Sequence, residues 1–142
     1  MLLGINQDMT ATPHPRESRS RIDIRDSSQN VRIELDGVTV ADSHSPRILY
    51  ETGLPPRYYL PPTNVRLDLL EPTDSVTHCP YKGQARYWSA RVGGGRYEDV
   101  CWSYPAPLPE SQKIAGLIAF YDERADVFVD GVRQERPKTP SS

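Results

Sequence analysis

Little in this 142-residue chain could hold it together apart from a hydrophobic core. It carries two cysteines, Cys79 and Cys101, with no C-x-x-C spacing. Two cysteines make no disulfide framework, and a lasting bridge between them is not expected in a reducing compartment. Zinc normally takes four ligands at paired short spacings, whereas His14, His44 and His78 are scattered. His78 and Cys79 are adjacent, so in a regular strand they face opposite ways. No metal site is expected and no cofactor is implied. Long apolar runs are missing too, and nothing approaches the roughly 20 residues needed to span a bilayer. Residues 1–5 are too few for the core of a secretory signal. Residues 16–25 contain Glu17 and Asp23, unlike an acid-poor transit peptide. The cytoplasm is therefore the expected compartment. Nor is there an excess of positive charge: 17 Lys and Arg stand against 19 Asp and Glu, a net charge of −2. That balance offers no general attraction to nucleic acid or to an anionic membrane, and neither is expected as a partner. No oligomeric state is implied.

What is abundant is turn chemistry. Fourteen prolines and nine glycines in so short a chain favour many turns and few long helices. Residues 1–29 are polar and show no period of 2 or 3.6, which reads as a disordered tail; residues 135–142 read the same way. Between them, residues 30–134 form a single domain. Val31, Ile33 and Leu35 alternate with polar residues, Asp36-Gly37 is a favoured two-residue hairpin turn, and residues 38–42 return, with Leu35 expected opposite Val38 and Ile33 opposite Val40. Short strands are expected at residues 47–51, 57–60, 64–70, 76–79, 84–92, 96–104, 117–121, 127–130 and 132–134. Proline pairs on both sides of residues 57–60 suit an edge strand or an extended loop. Residues 71–75, with Pro72, read as a turn, and residues 110–115 hold at most one helical turn. The apolar run at 117–121 reads as a central strand. The expected fold is all-β, an antiparallel sandwich or barrel-like arrangement with almost no helix.

Two stretches concentrate chemistry. Residues 77–89, THCPYKGQARYWS, bend at Pro80 and Gly83 and contain Cys79, Tyr81, Lys82 and Trp88. Residues 101–109, CWSYPAPLP, contain Trp102 and Tyr104 and end in a stiff proline rim. Strand aromatics usually pack a core; the functional alternative is that Tyr81, Trp88, Trp102 and Tyr104 wall a pocket, since small-molecule sites are aromatic hollows with a few polar groups. Lys82 is either a solvated loop residue or a point charge for an anionic ligand group. Cys79 is either an inert thiol or a nucleophile, and the latter requires a nearby cation or base. Glu110 can serve the N-terminus of a helical turn or enter the site as a carboxylate. Glu51 and Arg57 flank a loop and are placed to pair with each other at the surface. Gly93-Gly94-Gly95 precedes no helix and reads as a hairpin loop.

Taken in order, Leu49-Tyr50-Glu51-Thr52-Gly53, Tyr58-Tyr59-Leu60-Pro61, Asn64-Val65, Cys79-Pro80-Tyr81-Lys82-Gly83, Tyr87-Trp88-Ser89, Trp102-Ser103-Tyr104-Pro105, Ile114-Ala115-Gly116, Ala119-Phe120-Tyr121 and Val129-Asp130-Gly131 form a set. This set resembles the domain-of-unknown-function 427 family, which has also carried a nucleotidyltransferase-like label. The resemblance covers about residues 30–134. It implies a β-tent, two antiparallel sheets packed at a steep angle, related to cereblon-type ligand-binding domains and B-class methionine sulfoxide reductases. Those relatives often hold zinc through two C-x-x-C pairs that are absent here, so neither zinc nor reductase chemistry carries over. No acidic metal-binding pair supports the transferase label. The expected function is small-molecule binding in a pocket walled by Tyr81, Trp88, Trp102 and Tyr104 and anchored by Lys82 and Glu110. The alternatives are a transferase-like enzyme using Cys79 or Lys82 and a protein-interaction module using the strand at 57–60 as an edge.

Overall fold

A computed structural model describes residues 21–138. Eleven strands follow in chain order: β1 Ile22–Asp26, β2 Val31–Leu35, β3 Val38–Ser43, β4 Arg47–Glu51, β5 Arg57–Leu60, β6 Leu70–Cys79, β7 Gly83–Val92, β8 Gly95–Ser103, β9 Ile118–Phe120, β10 Asp126–Val129 and β11 Val132–Arg133. Three short 3-10 segments, Pro62–Asn64, Leu67–Leu69 and Pro109–Ile114, are the only helical elements among the described residues. The strands form two antiparallel sheets. The larger has seven strands in the order β1-β4-β5-β9-β8-β7-β6, and the smaller has four in the order β11-β10-β2-β3. The fold is all-β with two open sheets and no barrel.

Side-chain alternation divides the interior in two. Val31, Ile33, Leu35, Val40 and Val127 from the small sheet pack against Leu60, Ala90, Val92, Val100, Cys101, Ile118 and Phe120 from the large one. The intervening residues of the large sheet point the other way. There Leu49, Tyr59, Ala85, Tyr87, Trp102 and Ala119 build a second cluster, joined by Ile24, Tyr104 and by Ile114 of the last 3-10 segment. The large sheet therefore has two working faces, one against the small sheet and one against loops. Burial on both faces explains why β9 reads as a continuous apolar run: all of its residues are buried between β5 and β8.

The Asp36-Gly37 turn forms as expected, with φ of 51° and 77°. Leu35 pairs with Val38, but a bulge between Ile33 and Glu34 sets Ile33 opposite Ala41 instead of Val40. A bulge lets neighbouring residues face the same way, and Val40 and Ala41 are both buried. A similar slip occurs between β7 and β8. Ser89 stands alone opposite residues 98–100, Asp99 takes φ 51°, and its carboxylate accepts hydrogen bonds from Thr73 and Ser75. Val100 consequently joins the inter-sheet core while Trp102 and Tyr104 join the other cluster.

Several expectations need correction. The segment expected as a tail through residue 29 contains β1, which pairs with β4 throughout. As an edge strand burying only Ile24, β1 needs few apolar residues, which is why its composition looks tail-like. Residues 1–20 and 139–142 lie outside the described residues. The strand at 57–60 is interior, bonded to β4 on one side and β9 on the other. Its proline pairs lie beyond its ends and remove no donor from the ladder. Residues 64–70 are not one strand: 3-10 turns at Pro62–Asn64 and Leu67–Leu69 leave Val65 in a single bridge to Ala41 and Leu70 as the first residue of β6. Residues 71–75 belong to β6, whose ladder is interrupted by a bulge between Pro72 and Val76.

Ile33, 1% exposed, lies at the centre of the inter-sheet core, whereas Val132 is 63% exposed. Ile33→Ala is expected to cost about 2–5 kcal/mol of unfolding free energy, and Val132→Ala less than about 0.5 kcal/mol, in urea denaturation.

Candidate functional site

The second face of the large sheet carries a cavity of about 390 Å³. Its floor is one register row. Tyr59 pairs with Ala119, Ala119 with Trp102, and Trp102 with Tyr87, so these four side chains emerge on the same face of β5, β9, β8 and β7. Strands two apart in a sheet are about 9.5 Å distant. Because Ala119 offers only a methyl group, the large rings on either side lean over it. Tyr59 and Trp102 meet edge to face with centroids 6.2 Å apart, and the Trp102 Nε1–H donates to the Tyr59 hydroxyl at 3.1 Å. Tyr121, just beyond β9, lies against Trp102 with a centroid distance of 4.4 Å. Tyr87 and Thr77 share a hydroxyl hydrogen bond of 2.8 Å, and the Tyr121 hydroxyl donates to Tyr87 at 3.5 Å.

Two half-buried ion pairs stand at the walls. Lys82 Nζ donates to Glu51 Oε1 at 3.0 Å, with the side chains 13% and 16% exposed. Arg57 grips Glu123 through both terminal nitrogens at 2.9 and 3.0 Å, and its guanidinium lies over the rings of Trp102 and Tyr121. Glu51 and Arg57 thus each have a different partner from the one sequence proximity suggested. Burial works against the charge on Arg57, but the hydrogen bonds to Glu123 and the fields of Asp122 and Glu123 prevail and raise its pKa. Burial drives the phenols of Tyr59 and Tyr104 well above their ordinary range, and the neighbouring fields of Cys79, Tyr87 and Tyr121 add to the effect at Tyr104.

The corner after Cys79 is pinned against the proline rim. Leu108 N–H donates to the Lys82 carbonyl at 3.0 Å and Ser111 Oγ to the Tyr81 carbonyl at 3.1 Å. Gly83 sits at φ 106°, where a Cβ would touch the backbone of Ala106, Pro107 and Leu108. Those contacts, at 3.5–3.6 Å, are ordinary packing distances, so it is the positive φ that favours glycine here.

Of the residues singled out from the sequence, Cys79, Lys82, Trp102 and Tyr104 line this cavity, and Tyr81, Trp88 and Glu110 do not. Tyr81 contributes its carbonyl to the pinned corner. Trp88 points to the opposite face and packs on the inter-sheet core. Glu110 is exposed in the first turn of the last 3-10 segment. Cys101 is sealed in the inter-sheet core, where burial pushes its thiol up to about 12. Tyr59, Tyr87 and Tyr121 were missed. The available signal was alternation: Trp102 and Tyr87 share a row once β7 and β8 are paired, and Tyr59 falls on that face once β5 is placed inside the sheet. Among the described residues no group of three or more His, Cys, Asp or Glu is arranged to hold a metal ion. No helix there is long and apolar enough to cross a membrane.

Asp122, 7% exposed, lies behind Arg57 and lines a smaller cleft with Tyr58 and Val127. Burial raises its carboxyl from 3.8 to about 7, against the pull of Arg57. Between those values the unfolded chain has lost this proton and the folded chain has kept it. This group's contribution to stability therefore falls as pH rises from about 4 to about 7 and is level above. Asp68, Glu71 and Asp126 act oppositely: arginine partners hold them low, so their contribution is lost only on further acidification. Urea midpoints measured from pH 5 to pH 8 are expected to decline in the native chain and to decline much less in Asp122→Asn.

A search of curated proteins gives no match. A family model described as a domain of unknown function, DUF427, matches residues 23–131, which run from the start of the large sheet to the last hairpin. The chain belongs to the DUF427 family.

Proposed function

We propose that the cavity on the second face of the large sheet binds a small organic molecule. The supporting observation is the convergence of an aromatic floor, made by Tyr59, Trp102 and Tyr87, with two separately neutralised ion pairs around one hollow. A cavity of about 390 Å³ lies in the lower part of the range, roughly 300–1,000 Å³, typical of small-molecule sites. Keeping two ion pairs 11–18% exposed costs desolvation energy that an apolar filling would avoid. A binding site gives that cost a purpose, since the pairs supply polar contacts at fixed positions.

The enzyme readings draw less support. Lys82 is engaged by Glu51, and Cys79 has no hydrogen bond to a base among the described residues. A nucleophile needs such a partner to be activated. The interaction-module reading loses its proposed edge, because the strand at 57–60 is paired on both sides.

Protein purified under native conditions and then denatured is expected to release a small molecule detectable by mass spectrometry. Ala119→Val, which wedges a branched side chain between Tyr59 and Trp102, is expected to retain at least about tenfold less of it. If the native chain holds no such molecule, even after incubation with a cell extract, the proposal fails.

A further inference from the structure

Building on the proposed binding function, we infer that the ligand is an uncharged, flat ring compound bearing hydrogen-bond acceptors, such as a carboxamide or an oxo-heterocycle. The argument is an account of what the cavity has left to offer. Its formal charges are spent: Lys82 is paired with Glu51, and Arg57 is paired with Glu123 through both terminal nitrogens. An anionic ligand would have to break one of these pairs to reach a cation, and a cationic ligand would have to break one to reach a carboxylate. Either exchange leaves a half-buried charge without its partner.

Glu51 keeps its second carboxylate oxygen and the exposed His78 also lines the cavity, but the most buried lining groups with hydrogen-bonding capacity left are donors. Tyr59 is 1% exposed and its oxygen accepts from Trp102 Nε1, so its O–H remains to be given. Tyr104 is 6% exposed and its hydroxyl makes no hydrogen bond to any described residue, although it lines the cavity. A hydroxyl left unsatisfied in a buried site is costly, and a native structure normally provides a partner. Lys82 uses one of its three N–H groups on Glu51, and its ammonium has no acceptor function. The cavity therefore presents phenolic O–H and ammonium N–H donors around aromatic faces while its charges balance. A carbonyl oxygen or ring nitrogen matches the donors, and a flat ring matches Trp102 and Tyr121.

Three probes of one shape separate the possibilities: benzamide is neutral with a carbonyl acceptor, benzoate is an anion, and benzamidinium is a cation. Titration of each, followed by the indole N–H resonance of Trp102, is expected to show benzamide binding at least about tenfold more tightly than either charged analogue. Tyr104→Phe and Tyr59→Phe are each expected to weaken benzamide by about three- to tenfold, as loss of one hydrogen bond implies. A dispersed amide spectrum in each variant establishes that it is folded. Preference for benzoate or benzamidinium, or unchanged benzamide binding in both folded variants, overturns this inference and leaves the binding function standing. No response to any of the three at millimolar concentration overturns both.

Discussion

A methyl group at position 119 governs the outer face of the large sheet. β9 runs between two strands that carry Tyr59 and Trp102 in the same register row, and the rings can touch only because the residue between them is small. That contact sets the orientation of the Trp102 indole, fixes the Tyr59 hydroxyl as its acceptor and leaves the hollow above. Because β9 is buried on both faces, the row cannot slide without exposing Ile118 and Phe120 from the core on the other side. The inter-sheet core thereby holds the register of the floor, although none of its side chains reaches the cavity.

Electrostatics complete the walls. Glu51 ends β4 and Lys82 lies in the corner between β6 and β7, so their ion pair bridges parts of the large sheet that are distant in order. Arg57 begins β5 and reaches Glu123 in the turn after β9. Both pairs tie loops to sheet at the cavity walls, and the Arg57 guanidinium lies over the rings of Trp102 and Tyr121. Asp122 adds a buried carboxyl behind Arg57, so the field on that side depends on its protonation near neutral pH.

Much of the fold was legible. The Asp36-Gly37 hairpin, the alternation of β2 and the central character of β9 all follow from local rules that tertiary packing left intact. The failures have specific causes. β1 hid because an edge strand with one buried residue has a polar composition. β5 looked like an edge because its flanking prolines were weighed without knowing its neighbours. Val40 lost its expected partner Ile33, and Val100 parted from the face of Trp102 and Tyr104, because bulges after Ile33 and at Asp99 shift the alternation, and neither bulge has a local signature. In the site, Lys82, Cys79, Trp102 and Tyr104 could be singled out because two unusual stretches carry them. Tyr59, Tyr87 and Tyr121 depend on strand order, which single-strand patterns do not encode, and Trp88 was assigned to the wrong face for the same reason.

β6 is the outermost strand of the seven, and the alternate residues whose backbone groups point away from β7 form an open border. Pro72 carries no backbone donor, the bulge before Val76 bends the strand, and the exposed Asp74 and His78 add polar side chains to it. A straight foreign segment would meet a crooked, partly mute template. The interruption that made residues 71–75 look like a turn thus leaves this border a poor match for a strand of another copy.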